Sequence, residues 1–147
     1  MTGYLLDTNV LSAIEPGRGG SSPEFAPWLE TRSDQLYLSV ISVIEIESGI
    51  RNLRRRGSTA RADALDQWLA ETVRSYADHV LELDTATARA AGAIVDRVKA
   101  AGHKPELADI VIAATAQVHQ LLVLTANTRH FAATGMRHVN PFEVLPE

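Results

Sequence analysis

The sequence predicts an α/β fold in which a mostly parallel central sheet is covered by helices on both faces. Short apolar segments alternate with longer segments whose apolar residues recur at helical spacing. This alternation is typical of parallel sheets, because each strand needs a long crossover before the next one. The chain of 147 residues is 46% hydrophobic and 22% charged, which is the balance of one globular domain with a packed core. We therefore expect a single domain over residues 1–147.

Strands are predicted where short apolar runs are bounded by polar or turn-forming residues. Four of them lie at residues 4–6, 36–40, 80–83 and 121–124, and a short fifth strand is predicted near 137–139. Helices are predicted where apolar residues recur at helical spacing, over residues 10–14, 25–29, 43–53, 62–73, 86–101 and 107–118. Gly102 and Pro105 separate the last two helices.

A glycine-rich segment over residues 16–23 interrupts this pattern and is predicted to be a loop. It contains no lysine followed by a hydroxyl residue, and it does not follow a strand. Both features are required of a phosphate-binding loop, so we exclude that function for this segment.

The composition of the chain excludes several kinds of site. The chain has no cysteine, which excludes disulfides, thiolate metal sites and cysteine nucleophiles. Any metal must therefore be bound by carboxylates or histidines. The net charge of −4 argues against general electrostatic attraction to nucleic acid, but it is compatible with a nuclease whose acids bind divalent cations. We recognise no signal peptide or membrane-spanning run, so we expect a cytoplasmic protein without membrane partners.

Asp7 is the first candidate functional acid, and it lies between the first predicted strand and the first helix. Open α/β sheets bind their ligands at the carboxyl ends of the strands, which is where we expect Asp7. An equally good interpretation is that Asp7 or Thr8 only caps the helix, because both residue types accept hydrogen bonds from helix N-termini.

Glu45 is the second candidate acid, in the helix that follows the second predicted strand. Ser42 and Glu45 have the spacing of a capping box, which favours a structural role at the start of the helix. Glu47 competes with Glu45 for a functional role. The two glutamates are about 200° apart around a helix, so they cannot easily serve one site together.

Asp109 is the third candidate, in a predicted helix that is apolar on nearly every side and should therefore be buried. A carboxylate in such a helix is costly unless it is paired or bound to a metal ion. The alternative is an acid that is stabilised by the N-terminus of its own helix, next to Pro105 and Glu106.

These three acids come from separate segments, each near a strand end or a helix start, and they can converge into one cluster of carboxylates. Their mutual repulsion favours a bound divalent cation, and hard cations such as Mg²⁺ prefer oxygen ligands. The chemistry expected of such a cluster is hydrolysis of a phosphodiester by water that the metal ion activates.

The segments that carry these acids are similar to those of the PIN-domain ribonucleases, in particular the VapC toxins and their FitB-like branch. The similarity runs through LLDTNVLS at residues 5–12, LSVISVIEIESGI at 38–50, QWL at 67–69, DIVIAATA at 109–116, LTAN at 124–127 and NPF at 140–142. It implies a PIN-like three-layer α/β/α sandwich and an endoribonuclease that depends on Mg²⁺ or Mn²⁺. It also implies a homodimeric toxin that is controlled by a cognate antitoxin of the VapB or FitA kind, through which any contact with DNA would be made.

Within this resemblance, Asp7, Glu45 and Asp109 match the acids that bind the metal, which favours Glu45 over Glu47. Asn127 stands where the family often has a fourth acid. Its amide forms hydrogen bonds but brings no negative charge. We therefore expect one metal ion to bind tightly and a second one to bind weakly.

Two further groups of residues are candidates for supporting roles. Thr8, Asn9 and Thr125 are expected around the same pocket, where they could orient water or phosphate, although ordinary capping and turn bonds would explain them as well. The densest basic cluster of the sequence consists of Arg51, Arg54, Arg55 and Arg56. It is a candidate RNA-binding edge, and the alternative is favourable positive charge at a helix C-terminus.

The histidines and tryptophans show no pattern of a functional site. The five histidines lack metal-ligand spacing, so we interpret them as surface or core residues. Trp28 and Trp68 lie on apolar helical stripes and are expected to pack in the core. For Trp68, a subunit or antitoxin interface is the alternative.

Two other classes of protein compete with the ribonuclease interpretation. Aspartyl-phosphate phosphatases and receiver domains also place an aspartate after the first strand, but they need a lysine near the site. The only lysines here are Lys99 and Lys104, and Asn9 replaces the second aspartate of the phosphatase motif. A PIN-like module that binds RNA or protein without catalysis is the second alternative, because Asn127 departs from the acidic pattern.

Overall fold

A central parallel sheet organises the computed structural model, which describes residues 3–18 and 23–147. Its strands are β1 (Tyr4–Leu6), β2 (Leu36–Ser39), β3 (Val80–Leu81), β4 (Leu122–Leu124) and β5 (His138–Val139). They lie in the order β3-β2-β1-β4-β5, and every neighbouring pair is parallel. Because the chain moves from β1 outward to one side and returns to the other side with β4, the topological switch point lies between β1 and β4.

Helices cover both faces of this sheet. They are α1 (Thr8–Ser12), α2 (Phe25–Thr31), α3 (Val40–Arg55), α4 (Thr59–Tyr76), α5 (Thr85–Ala100), α6 (Leu107–His119) and α7 (Thr128–Ala132). Apolar residues of α1 to α4 pack in one core with Leu6, and those of α5 to α7 pack in a second core with Leu5. Since neighbouring residues of β1 point to opposite faces, the sheet separates two cores. The predicted three-layer α/β/α sandwich is therefore confirmed.

The predicted strands and helices are all present, although several boundaries differ. Helix α3 begins three residues earlier than predicted because the Oγ of Ser39 accepts a hydrogen bond of 3.1 Å from the backbone N–H of Ile41. The capping box predicted for Ser42 and Glu45 is therefore wrong, since both residues lie inside α3. Strand β3 is shorter than predicted. The short helix α7 is absent from the sequence prediction, because its sequence TRHFA has one large apolar residue, Phe131, and therefore no apolar periodicity.

Some predictions concern parts of the chain away from the sheet. The glycine-rich loop at 16–23 falls partly outside the described residues. Trp28 packs against Tyr4 with ring centroids 5.0 Å apart, which confirms its role in the core. Trp68 also packs at the edge of a core, and its role at an interface stays a prediction. None of the helices in the described ranges combines the length and the hydrophobicity that a membrane span requires.

Candidate active site at the carboxyl edge of the sheet

Asp7 lies at the end of β1, next to the switch point, and its side chain is only 4% exposed. Its Oδ1 accepts a hydrogen bond of 2.8 Å from the backbone N–H of Thr8, so Asp7 does cap α1. Its Oδ2 accepts two more, from the hydroxyl of Thr125 at 2.7 Å and from the Nδ2 of Asn9 at 3.0 Å. Asp7 therefore caps α1 and also lies at the carboxyl edge of the sheet, so the two interpretations of this residue are compatible.

The electrostatic surroundings of Asp7 link it to the other two candidate acids. Burial raises the pKa of Asp7 above its ordinary value, and the hydrogen bonds from Thr125 and Thr8 partly oppose this rise. The negative charges of Asp109 and Glu45 raise the pKa further. The three carboxylates are therefore close enough to repel one another.

Glu45 lies on the first half of α3 and is connected to α1 through hydroxyl groups. The hydroxyl of Thr8 donates to Oε1 of Glu45 at 2.5 Å, and it lies 2.9 Å from the hydroxyl of Ser42. Thr8 has only one hydroxyl proton, so Ser42 must be the donor of the second bond. Glu47 instead forms an ion pair of 3.4 Å with Arg51. Of the two glutamates, Glu45 is the one that is connected to the other acids.

Asp109 lies in the first turn of α6, and its side chain is 16% exposed. Its Oδ2 accepts a hydrogen bond of 2.9 Å from the Nδ1 of His130. Burial raises the pKa of Asp109, His130 lowers it, and the charges of Glu106 and Glu45 raise it again. His130, which no sequence pattern singles out, is thus a direct partner of a candidate site residue. The only clue is its position one turn after Asn127, at the same edge of the sheet.

The supporting residues connect the loop after β1 to the loop after β4. The Oδ1 of Asn9 accepts a hydrogen bond of 3.0 Å from the backbone N–H of Ala126, while its Nδ2 donates to Asp7. The hydroxyl of Thr125 accepts one of 2.9 Å from the backbone N–H of Asn127 and donates to Asp7. These bonds are of the capping and turn type that was the alternative interpretation, and they also hold Asp7 in place.

A cleft of about 640 Å³ opens beside these acids. Glu45, Asp109 and Asn127 line it, and Asp7 is not among its lining residues. The side chain of Asn127 is exposed on this cleft and forms no cap for α7. Sequence reasoning missed Lys104 and Arg129, which line the same cleft.

The predicted arginine cluster does not lie with the acids. Residues 51 to 56 are at the opposite end of α3, and a helix rises about 1.5 Å per residue, so Arg55 is about 15 Å from Glu45 along the axis. Arg54 is paired with Asp63 and Asp66 of α4, at 2.7 Å and 3.3 Å. Arg51 is paired with Glu47, as described above. The predicted arginine cluster therefore lies away from the candidate site.

The donor set of the site fits a hard divalent cation. All three acids offer carboxylate oxygens, and a cation would relieve the repulsion that raises the pKa of Asp7 and Asp109. In the described part of the chain, however, no three His, Asp or Glu side chains already converge closely enough to enclose a metal ion. Glu45 and Asp109 are turned toward Thr8 and His130, respectively.

Comparison with known proteins identifies the family. The model of the PIN domain family matches residues 4–135. The chain therefore belongs to the PIN-domain family, as the sequence motifs predicted.

Two relatives and one solved structure match over almost the whole chain. Plasmid stability protein StbB of Pseudomonas syringae pv. tomato is 36% identical over 141 residues, covering 95% of this chain and 98% of the relative. VapC ribonuclease Y4jK of Sinorhizobium fredii is 32% identical over 142 residues, covering 95% and 97%. The crystal structure of FitAcB from Neisseria gonorrhoeae superposes with a TM-score of 0.83 at 31% identity, covering 96% of this chain and 99% of that one. Other similar structures include a toxin–antitoxin complex and a FitAB complex bound to DNA.

Proposed function

We propose that this chain is a Mg²⁺- or Mn²⁺-dependent endoribonuclease that acts in the cytoplasm as the toxin of a toxin–antitoxin pair. The whole chain forms its single PIN domain. The observation that carries the proposal is geometric: Thr8 links Asp7, at the end of β1, to Glu45 on α3, and Glu45 lines one cleft together with Asp109 of α6. A cluster of this kind suits hydrolysis of phosphodiesters by divalent metal ions. The activity in the name of the relative Y4jK agrees with this proposal.

Each residue of the site has a role in this proposal. Asp7, Glu45 and Asp109 hold the metal ion, which when bound activates water and stabilises negative charge on the phosphate. Asn9 and Thr125 donate hydrogen bonds to Asp7 and orient its carboxylate. Thr8 and His130 orient the carboxylates of Glu45 and Asp109 in the same way. Such outer partners fix the geometry of metal ligands.

The proposed partners follow from the similarity of this chain to the solved toxin–antitoxin structures. We propose that a cognate antitoxin of the VapB or FitA kind binds and inhibits the chain, and that the antitoxin makes any contact with DNA. Similar solved structures include a toxin–antitoxin complex and a DNA-bound FitAB complex. The chain itself is proposed to form a homodimer, which size-exclusion chromatography with light scattering can test.

The first expected result is that the purified protein cleaves RNA only when Mg²⁺ or Mn²⁺ is present. Carboxylate oxygens favour these ions, and the chain has no cysteine to bind softer ones. Cleavage of a single-stranded RNA would be followed on a denaturing gel, with excess EDTA and with Mg²⁺ restored after chelation. Equal cleavage in EDTA would reject the metal-dependent mechanism.

A second candidate function is a PIN module that binds RNA or protein without cutting it. The observation that favours it is Asn127, whose exposed amide lines the cleft where the family often has a fourth acid. Calorimetric titration with Mn²⁺ separates the two functions. A protein that neither binds Mn²⁺ nor cleaves RNA would support the non-catalytic module.

The second expected result concerns the two glutamates of α3. Expression of the chain without an antitoxin should slow growth of the host, and Glu45→Gln should relieve this effect. Glu47→Gln serves as the matched control, because Glu47 is on the same helix but is paired with Arg51. Growth curves of the three strains, with protein levels checked by immunoblot, measure the effect. Relief by Glu47→Gln and not by Glu45→Gln would move the site to Glu47.

A further inference from the structure

Two cations line the cleft beside the acids, and we refer to Lys104 and Arg129 as the cleft cations. Lys104 belongs to the loop between α5 and α6, and Arg129 belongs to α7. Both residues are exposed. Neither side chain forms an ion pair with any residue that the structure describes. The cleft therefore has two positive charges that are available to a ligand.

Other arginines of the chain form the ion pairs that the cleft cations lack. Arg51 and Arg54 are neutralised by acids of α3 and α4, and Arg61 is paired with Glu15. The cleft cations stay unpaired even though Glu106 and Asp109 line the same cleft within the described part of the chain. No carboxylate of the described residues therefore lies within ion-pair distance of either cleft cation. Such an arrangement suits a polyanion, because a divalent ion at the acids and the cations nearby would neutralise different phosphates of one strand.

We propose that Lys104 and Arg129 form a subsite for the backbone phosphates that neighbour the cleaved bond of a single-stranded RNA. This proposal rests on the proposed function of the acids. Arginine matches phosphate through its planar fork, and lysine attracts it as a point charge. No Phe, Tyr or Trp is among the described residues that line the cleft. Contacts of lysine and arginine with phosphate do not distinguish one base from another, so the cleft cations add affinity through charge for any sequence.

The test compares RNA binding by variants that all carry Asp109→Asn, so that the RNA stays intact. Lys104→Gln with Arg129→Gln removes the cleft cations. Arg74→Gln with Arg89→Gln is the matched control, because these exposed arginines of α4 and α5 give the same change in charge outside the cleft. Fluorescence anisotropy with a labelled single-stranded RNA, in Mg²⁺ at several salt concentrations, measures the dissociation constant.

Loss of the cleft cations should raise the dissociation constant roughly tenfold. It should also reduce the slope of log affinity against log salt by about 1.4, because each phosphate contact to a single strand contributes about 0.7. The control should change both values much less. Thermal unfolding should be the same for both variants, since the replaced side chains are exposed. The loss should be equal for RNAs of different sequence.

Equal effects of the cleft variant and the control would overturn the subsite. The subsite is also rejected if only Arg55→Gln with Arg56→Gln weakens binding, because RNA would then lie at the far end of α3. An unchanged RNA affinity of the cleft variant would reject it too. Cleavage by the wild-type chain tests the proposed function separately. A protein that binds RNA through the cleft cations and never cuts it would refute catalysis alone.

Discussion

Asp109→Asn is expected to reduce RNA cleavage by more than about a hundredfold without destabilising the metal-free protein. The loss should exceed that for an outer partner of a metal ligand, because the carboxylate itself is removed. The fold tolerates the change because Asp109 has a single side-chain partner among the described residues, His130, and the amide oxygen of Asn can accept the same hydrogen bond. Gel-based cleavage assays and urea unfolding in EDTA measure the two effects.

The pH dependence of stability gives this prediction a second measurement. The pKa of Asp109 is raised above its ordinary value of 3.8, so the folded protein holds this proton more tightly than the unfolded chain does. The protonated carboxyl of Asp109 contributes fully to the free energy of unfolding below pH 3.8. This contribution is lost as the pH rises through the pKa of the folded protein. The amide of Asp109→Asn does not titrate, so this variant does not lose stability in that pH range. Its stability relative to wild type should therefore increase from about pH 4 upward and then level off.

Asp96→Asn is the control for these measurements, because Asp96 is an exposed aspartate on α5. It should leave both cleavage and stability close to wild type. If Asp109→Asn unfolds the protein while metal-free wild type stays folded, Asp109 has a structural role and the proposed site is wrong.

Asp7→Asn is expected to abolish cleavage as well, but with the opposite effect on stability. The Oδ2 of Asp7 accepts hydrogen bonds from both Asn9 and Thr125. In Asp7→Asn, the amide oxygen can keep the hydrogen bond from the backbone N–H of Thr8. The amide NH₂ group then faces the two donors, Asn9 and Thr125. Leaving a buried donor without an acceptor costs on the order of 1–3 kcal/mol. Because two donors are affected, we expect this cost to exceed the relief from losing a buried charge.

The comparison of the two isosteric variants is the decisive measurement. Unfolding free energies of Asp7→Asn and Asp109→Asn, both in EDTA at neutral pH, should differ in sign relative to wild type. Thr125→Val provides the matched control, because it removes one donor to Asp7 without changing the charge. It should lower stability and reduce cleavage less than Asp7→Asn. Equal stabilisation by both aspartate variants would show that the hydrogen bonds to Asp7 do not favour its charged form.

The fold could be predicted from sequence because its signals are local. Each strand and each long helix has its own apolar periodicity, and the alternation of the two elements limits the topology. The start of α3 could not be placed correctly, because Ser39 and Ser42 are both good capping residues. In the structure, Ser39 accepts the capping hydrogen bond from Ile41, whereas Ser42 contacts Thr8, which is distant in sequence.

The positions of the acids could also be anticipated, whereas their partners could not. Asp7 is marked by the end of a strand, and Asp109 by its apolar helix. His130 is recognised only once α7 is folded against α6, because its role depends on one contact across 21 residues. The cleft cations escape sequence analysis for a related reason. In the sequence, the most densely clustered positive charges are the arginines at the far end of α3, so these are the residues that the sequence predicts to bind RNA instead.

The hydrogen bonds between the loops after β1 and β4 have a consequence for synthesis of the protein. Thr125 and Asp7 are 118 residues apart, and Asn9 and Ala126 are 117 apart. β1 is made before β2 and β3 but pairs with β4, which is synthesised after both of them. An incomplete nascent chain therefore lacks the donors that orient Asp7. The proposed ribonuclease site is thus complete only after β4 has been synthesised.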